Sequence, residues 1–380
     1  MSQISIKKVS NKKELKTFIR FNYELYKNNP YSVPDLYSDM VNTFTPEKNA
    51  ALDFCDTELF LAYRDGDVVG RVAAIINRNA NNTWNKKEVR FGWIDFIDDE
   101  EVSRRLIETV ENWGRERGMT SIVGPLGFSD MDAEGMLIEG YDELSTMATI
   151  YNYPYYPEHM AKLGFEKDVD WIELSLKVPD AVPDKMVRIA RIVEQKYNLH
   201  VRHVKNAKEV RESGIGQRMF ELINETYAPL YGFSKMTDKQ IQHYIKMYLP
   251  ILDFRMVTFI EDADNNLVAV GVSIPSLSRA LQKAKGKLFP FGWFHLLKAL
   301  FLTKYRSNTL DLLLVGVKTE YQDKGVNAML FADLIPRYQE LGFEYGESNP
   351  ELEVNTKVQA QWKYFETRQH KRRRCFKKEL

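Results

Sequence analysis

Cysteine is scarce: Cys55 and Cys375 are the two in 380 residues. They lie far apart and lack metal-type spacing, so neither a disulfide framework nor a zinc site is expected. Net charge is absent too, with 53 basic and 53 acidic side chains. No global field then draws the chain to nucleic acid or lipid, which argues against a general nucleic-acid binder. The opening MSQISIKKVSNKKEL lacks the apolar core of a secretory signal. Long hydrophobic runs are also lacking: a rich one, inside 281–307, is broken by His295 and Lys298 and is too short to span a bilayer. The expectation is a soluble, reduced, cytoplasmic protein that holds no metal.

What is present is a pattern that occurs twice. In the first half, ISIKKV (Ile4 to Val9) alternates like a strand, and Asn11 caps a helical stretch that runs to Lys27. Glu58 to Asn77 reads as two apolar strands around an Asp65-Gly66 turn, and FGWIDFI (Phe91 to Ile97) leads into an amphipathic helix that stops at Gly118. A short strand, SIVGPL, a long irregular section, a helix over Tyr156 to Phe165 and the strand WIELSLKV close the half. A proline-led helix over Pro183 to Asn198 connects it to a second round: HVRHV, two helices, FRMVTFIED and NLVAVGVSI, DLLLVGV, a long helix, FEYGES, a helix near Val358 to Glu366 and the basic strand RRRCFKKEL. The order predicts a mixed α/β architecture of two tandem units, each a central mixed sheet flanked by helices, over 1–178 and 199–380 with a connector at 179–198.

One stretch carries chemistry. After DLLLVGV comes TEYQDKGVNAML, Thr319 to Leu330. A strand that stops at Val317 and a helix that starts near Gly325 leave backbone N–H groups without intrahelical partners, aimed with the helix dipole at one spot that suits a pyrophosphate. Gly325 permits close approach, and Lys324 adds positive charge. The other reading is a plain turn with an incidental glycine. At the corresponding place in the first half stand four consecutive acids, Asp98 to Glu101, and no glycine. Acids stabilise a helix start but repel phosphate, so one donor site per chain is expected, in the second half.

The element order, together with Gln322-Asp323-Lys324-Gly325-Val326-Asn327 after the fourth strand of the second half, resembles the GNAT superfamily of acyl-CoA N-acyltransferases. That family's loop reads Q or R, x, x, G, x, then G or A; Gln322 and Gly325 match, and Asn327 departs from it. In the first half, Gly124 to Glu143 with YNYPYYPEHMAKLGF is similar to a tandem-GNAT family of bacterial acetyltransferase-like proteins. The resemblance implies acetyl-CoA or another acyl-CoA as co-substrate, held by Val315, Gly316, Val317, the loop Gln322, Asp323, Lys324, Gly325, Val326, Asn327 and Ala328, and by Asn355 at the start of the fourth helix. For the base, Glu353 is nominated first and Glu320 second, since both lie near strand ends flanking the presumed thioester. The family's usual acid is a Tyr seven residues after that Asn; here Trp362 stands there, and Tyr364 is the substitute candidate.

Gly124 to Tyr156 is too long to be a mere connector and carries Ser129, Asp130, Asp132, Glu134, Tyr151, Asn152 and Tyr155. Its acids suit an amine acceptor; equally, the tyrosines suit a packed wall. Leu281 to Ser307 is an insertion rich in aromatics and leucines, flanked by lysines and Arg306. It suits a cover over the sheet first, then an acyl-chain pocket, a protomer contact or a membrane surface. The leading expectation is acetyl transfer to the primary amine of a small molecule or amino acid. A catalytically silent acyl-CoA sensor and a tRNA-dependent aminoacyl transferase are the alternatives, and neutral charge counts against the last.

Overall fold

In the computed structural model, which describes residues 3–302 and 306–380, the apolar runs of both halves form strands of one sheet. The strands are β1 (Ser5–Lys8), β2 (Cys55–Arg64), β3 (Asp67–Asn77), β4 (Glu88–Phe96), β5 (Ser121–Gly124), β6 (Met136–Glu139) and β7 (Glu166–Lys177) in the first half. The second half adds β8 (His200–Arg202), β9 (Val257–Glu261), β10 (Leu267–Pro275), β11 (Thr309–Val317), β12 (Tyr345–Ser348), β13 (Glu351–Leu352) and β14 (Thr367–Glu379). The path across the sheet is β1-β2-β3-β4-β5-β14-β7-β12-β11-β10-β9-β8, with β6 on β14 and β13 on β7.

Local chemistry sets the regular parts. Asp65 and Gly66 both take positive φ, 53° and 93°, as a two-residue hairpin between right-twisted strands requires. The connector helix Asp184–Tyr197 follows Pro183 and ends at Asn198, which adopts the left-handed conformation at φ 50°. It packs on the helix Asn327–Glu340 through a core containing Val193, Met329, Leu330 and Trp362. On the first half, Val102, Leu106, Val110 and Trp113 of the helix Glu100–Arg115 cover Val72, Phe91 and Phe96.

The closing strands cross over. The chain's last strand, β14, lies between β5 and β7, and β7 lies between β14 and β12, so each closing strand borders the other half. Sequence periodicity does not name a pairing partner, and this exchange was not legible in it. It leaves no strand edge open where the halves meet.

Two parallel pairs position the site. β4 and β5 pair over Glu88–Arg90 and Ser121–Val123, beyond which Leu126 N still donates to Phe91 O at 3.0 Å, and β11 and β12 pair over Thr309–Leu312 and Tyr345–Ser348, where that ladder ends. At the β11 opening, Asn349 Nδ2 donates to Leu313 O at 2.6 Å.

The insertion folds as two helices, Ser278–Ala284 and Gly292–Phe301, with residues 303–305 outside the described residues. It docks on the first half: Gln282 Nε2 donates to Pro30 O (2.8 Å) and Ser32 O (2.9 Å), and Tyr37 N donates to Gly286 O at 2.7 Å. A Cβ at Gly286 would stand 2.4 Å from the Tyr23 ring and 2.5 Å from Asp35 O, so glycine is required there. The insertion is therefore more than a cover over its own half: it bridges to the other one.

Candidate functional site

A cavity of about 940 Å³ reaches both parallel pairs. Trp93 to Asp95 and Pro125 to Gly127 bring the first pair's continuation to its wall, and Leu313, Leu314, Asn349 and Pro350 bring the second's. Its lining is chemically mixed: Asp35, Asp130, Asp132 and Glu134 bring carboxyls, and Leu277, Leu281, Leu288, Trp293, Leu297 and Leu300 of the insertion region bring apolar surface.

The acidic lining is electrostatically tense. The carboxyls open to the cavity while protein encloses them elsewhere, and that desolvation pushes Asp35 and Asp132 up to about 6. Arg71 opposes the rise at Asp35; at Asp132 the Ser129 and Phe128 amides oppose it and the Asp130 charge adds to it. Burial raises Glu134 well above the usual carboxylate range, and the Asp130 charge adds to it. Arg71 itself is committed to Asp95, at 2.7 Å with both side chains buried.

The loop of the second half is built differently from its counterpart. Asp323 and Gly325 take positive φ, 60° and 84°. The amides of Gly325, Val326 and Asn327 donate to no other group among the described residues. In the first half, the Asp99 carboxylate caps the helix by accepting from Glu101 N (2.9 Å) and Val102 N (3.2 Å), and it pairs with Arg64 at 2.6 Å. One helix start keeps unpaired amides; the other is filled by the protein's own carboxylate.

No family model matches the sequence. The chain is 26% identical to Protein YghO of Escherichia coli, over 97% of this chain and 94% of that protein. It is 27% identical to the bacterial ceramide synthase of Caulobacter vibrioides, over 92% of this chain and 90% of that protein. Among solved structures, a tandem GNAT protein from the clavulanic acid biosynthesis pathway aligns over 99% of this chain and 98% of its own, with a TM-score of 0.55 at 12% identity. The chain has the tandem GNAT fold. The expected architecture of two GNAT-like units, each a mixed sheet flanked by helices, is the observed one, with the two sheets fused into one.

Within this tandem GNAT fold, the residues nominated from sequence fall into separate groups. Asp130, Asp132, Tyr151 and Asn152 line the cavity. Ser129 is buried beside them and donates its amide to Asp132, whereas the Tyr155 hydroxyl bonds to Phe96 O within an aromatic cluster. Asn152 holds both the amide and the carbonyl of Leu137. Asp130 also accepts from Ser234 N at 3.1 Å. Val315, Gly316 and Val317 lie on β11, where Val315 O accepts from the Tyr227 hydroxyl and Val317 O from Gln322 Nε2. Lys324 stacks over Tyr197 and Tyr321, Asp323 pairs with Lys357, Ala328 is buried, and the Asn355 side chain caps the short helix Thr356–Gln359. Glu320 is a surface partner of Lys318. Glu353 bridges Lys167 and Arg372. Tyr364 lies against Lys185 and Lys363; burial acts to raise its hydroxyl, but the two lysines outweigh it and lower it.

The structure adds a carboxylate that sequence reasoning passed over. Glu351 sits two residues before Glu353, and burial pushes it up to about 7, against the Trp362 indole that donates to both its oxygens at 2.9 and 3.0 Å. Its charge acts on Tyr227, a residue of the cavity wall. Trp362 thus holds this acid. Asp35 and Arg71 were also missed. No motif marks either one, and only the fold brings them to the cavity.

Proposed function

We propose that the chain is an acyl-CoA-dependent N-acyltransferase whose acceptor is a primary amine on a long apolar chain. The observation that carries this reading is one cavity lined both by carboxylates and by the leucines of the insertion region. An ammonium gains from the acids, and a hydrocarbon tail gains from burial at about 25 cal/mol per Å². The donor pyrophosphate would lie on the open amides of Gly325 to Asn327. From Leu314 at the cavity to Lys318 the strand covers about 13 Å, so a pantetheine arm laid along β11 leads from the loop toward the cavity.

In this reading, the Asp132 carboxylate holds the ammonium, and Glu351, next in sequence to the wall residue Pro350, takes its proton. A carboxyl near 7 is matched to that task at neutral pH. The amine nitrogen attacks the thioester carbonyl, the C–S bond breaks, an amide forms and the thiolate leaves as free CoA. Acetyl transfer to a small amine was the expectation from sequence; a cavity of about 940 Å³ favours a larger acceptor. The ceramide synthase name of one relative supports the same chemistry, since a ceramide is the amide of a long-chain amino alcohol. We also read the chain as units 1–178 and 199–380 joined by 179–198, with the second supplying the donor site.

The test is free-thiol release with amide detection by mass spectrometry, pairing short-chain and long-chain acyl-CoAs, whose binding differs by ~0.8 kcal/mol per buried CH₂, with short amines and a long-chain amino alcohol. Turnover confined to the long-chain amine supports the reading. Equal turnover of short amines, or CoA binding with no amide from any pair, overturns it.

A further inference from the structure

We infer that the insertion is a membrane-docking surface, and that its partner is an anionic lipid bilayer. Among the described residues, seven of the eleven exposed large apolar side chains fall within 289–302. Phe289 and Phe291 are 79% and 74% exposed, and Trp293, Phe294, Leu297 and Phe301 extend the patch along the helix Gly292–Phe301. The inner face of that helix is already satisfied: Leu296, Ala299 and Leu300 pack with Leu277 and Leu281 in a core of their own. The outer face is thus surplus to folding, and its aromatics are the residue type that settles at the boundary of water and hydrocarbon.

Charge selects the partner. Between Arg279 and Arg306 the sequence has seven basic residues and no acidic one, in a chain whose net charge is zero. Lys283, Lys285 and Lys287 are exposed beside the aromatic patch. An apolar face rimmed by lysines fits an anionic lipid surface, to which basic residues are drawn while aromatics enter the headgroup boundary. A neutral apolar protein partner would leave the lysines unmatched. No helix among the described residues is long and apolar enough to cross a membrane, so the contact is with the surface.

The patch also continues into the cavity. Trp293 and Leu297 are both exposed at the surface and part of the cavity wall. The docked face therefore borders the apolar part of the cavity wall, where a tail drawn from the bilayer would enter. That delivery step rests on the proposed acceptor; the docking itself does not.

The experiment is co-sedimentation of the full chain with phosphatidylcholine vesicles, with and without phosphatidylglycerol, over a range of salt, alongside light scattering of the free protein. Three proteins are compared: the native chain, a Phe289→Ser, Phe291→Ser, Phe294→Ser variant and a Lys283→Glu, Lys285→Glu, Lys287→Glu variant. These positions are exposed, and circular dichroism checks that each protein folds. The native chain should bind anionic vesicles, weaken with salt, and bind neutral vesicles about tenfold or more less tightly. Each variant should lose about tenfold or more on anionic vesicles. Turnover of a detergent-dispersed long-chain amine should persist in both variants, which separates failed docking from a failed acyltransferase reading. A native chain that ignores anionic vesicles overturns the inference, as does a folded serine variant that binds them as the native chain does. A native dimer that the serine changes dissociate would make the patch a contact between copies and overturn it equally.

Discussion

Arg373 of β14 and Glu173 of β7 meet inside the sheet, with Nε 2.5 Å from Oε1 and neither side chain exposed. Lys371 Nζ lies 3.1 Å from the other oxygen of Glu173, also fully buried. Glu173 and Arg373 stand 200 positions apart in sequence, and all three residues sit where the two closing strands run side by side. The pair therefore joins the halves at the point of exchange. Its Coulombic gain is offset by desolvation, but breaking it is costly, because a lone partner stays buried.

The first prediction concerns that point. Glu173→Gln would leave two buried cations facing a neutral amide and should destabilise the protein by about 3–5 kcal/mol in denaturant titration. Adding Lys371→Met and Arg373→Met should recover much of the loss. A single variant within about 1 kcal/mol of the native chain would show that the two cations find other partners. The sign with pH follows. Burial acts to raise Glu173, but Arg373 and Lys371 outweigh it and hold the carboxyl below its ordinary value. Its contribution is full above the unfolded pKa and is lost as pH falls through the folded one.

Asp311 behaves in the opposite sense. It is buried on β11, in register with Glu347 of β12. Burial pushes it up to about 7, Ser276 opposes the rise, and the Glu347 charge adds to it. Between the unfolded value near 4 and the folded value near 7, the folded state holds a proton that the unfolded state has lost, so stability falls as pH rises and levels off above that window. Asp311→Asn should remove the fall. The variant should be more stable than the native chain at pH ~8, by up to about 4 kcal/mol, and the gap should close toward pH ~5. Thermal unfolding at both pH values decides it; a gap independent of pH would mean that Asp311 does not titrate in this window.

Legibility follows the range of the interaction. Strand alternation, the Asp65-Gly66 turn and the helix cap at Asn11 depend on neighbours within a few residues, and the sequence displays them. The open loop at Gly325 and the acid-closed start at Asp99 were also readable, because both depend on local backbone and charge. The pairing of β14 with β5 and β7 was not, since nothing in RRRCFKKEL says which edge it joins. The same holds for Glu351 against Glu353. Two carboxylates in one short stretch look alike until β13 ends after two residues and sends Glu353 to Lys167 and Arg372.

The acceptor wall gives a kinetic prediction. Asp132 opens to the cavity and also accepts the Ser129 amide at 3.0 Å, a bond that an Asn oxygen can keep. Asp132→Asn should raise KM for a cationic acceptor about tenfold while leaving CoA affinity unchanged, because the lost attraction acts on acceptor binding alone. Burial raises its carboxyl to about 6, so in the native protein acceptor binding should improve as pH rises through that value, and the variant should lose this step. A fall in CoA affinity with the fold intact would move Asp132 out of the acceptor site.

The donor site has a cleaner probe than the loop glycine. A Cβ at Gly325 would stand 2.9 Å from Ile189 of the connector helix, so a substitution there disturbs packing as well as any phosphate. Asn327 opens the helix Asn327–Glu340 and is only partly buried. Asn327→Asp keeps the shape and adds a negative charge where the helix dipole welcomes it, so the apo protein should melt at the same temperature or slightly higher. The same charge faces the place where the open amides of Gly325 to Asn327 would hold a pyrophosphate. CoA affinity should therefore fall about tenfold or more, more steeply at low salt, and titration calorimetry of the native chain should give one site. Asp99→Asn, at the filled helix start of the first half, should leave CoA affinity unchanged, because the Asp99 side chain already occupies the amides there. A second CoA site opened by Asp99→Asn, or an Asn327→Asp protein that binds CoA as the native chain does, would take the donor away from this loop.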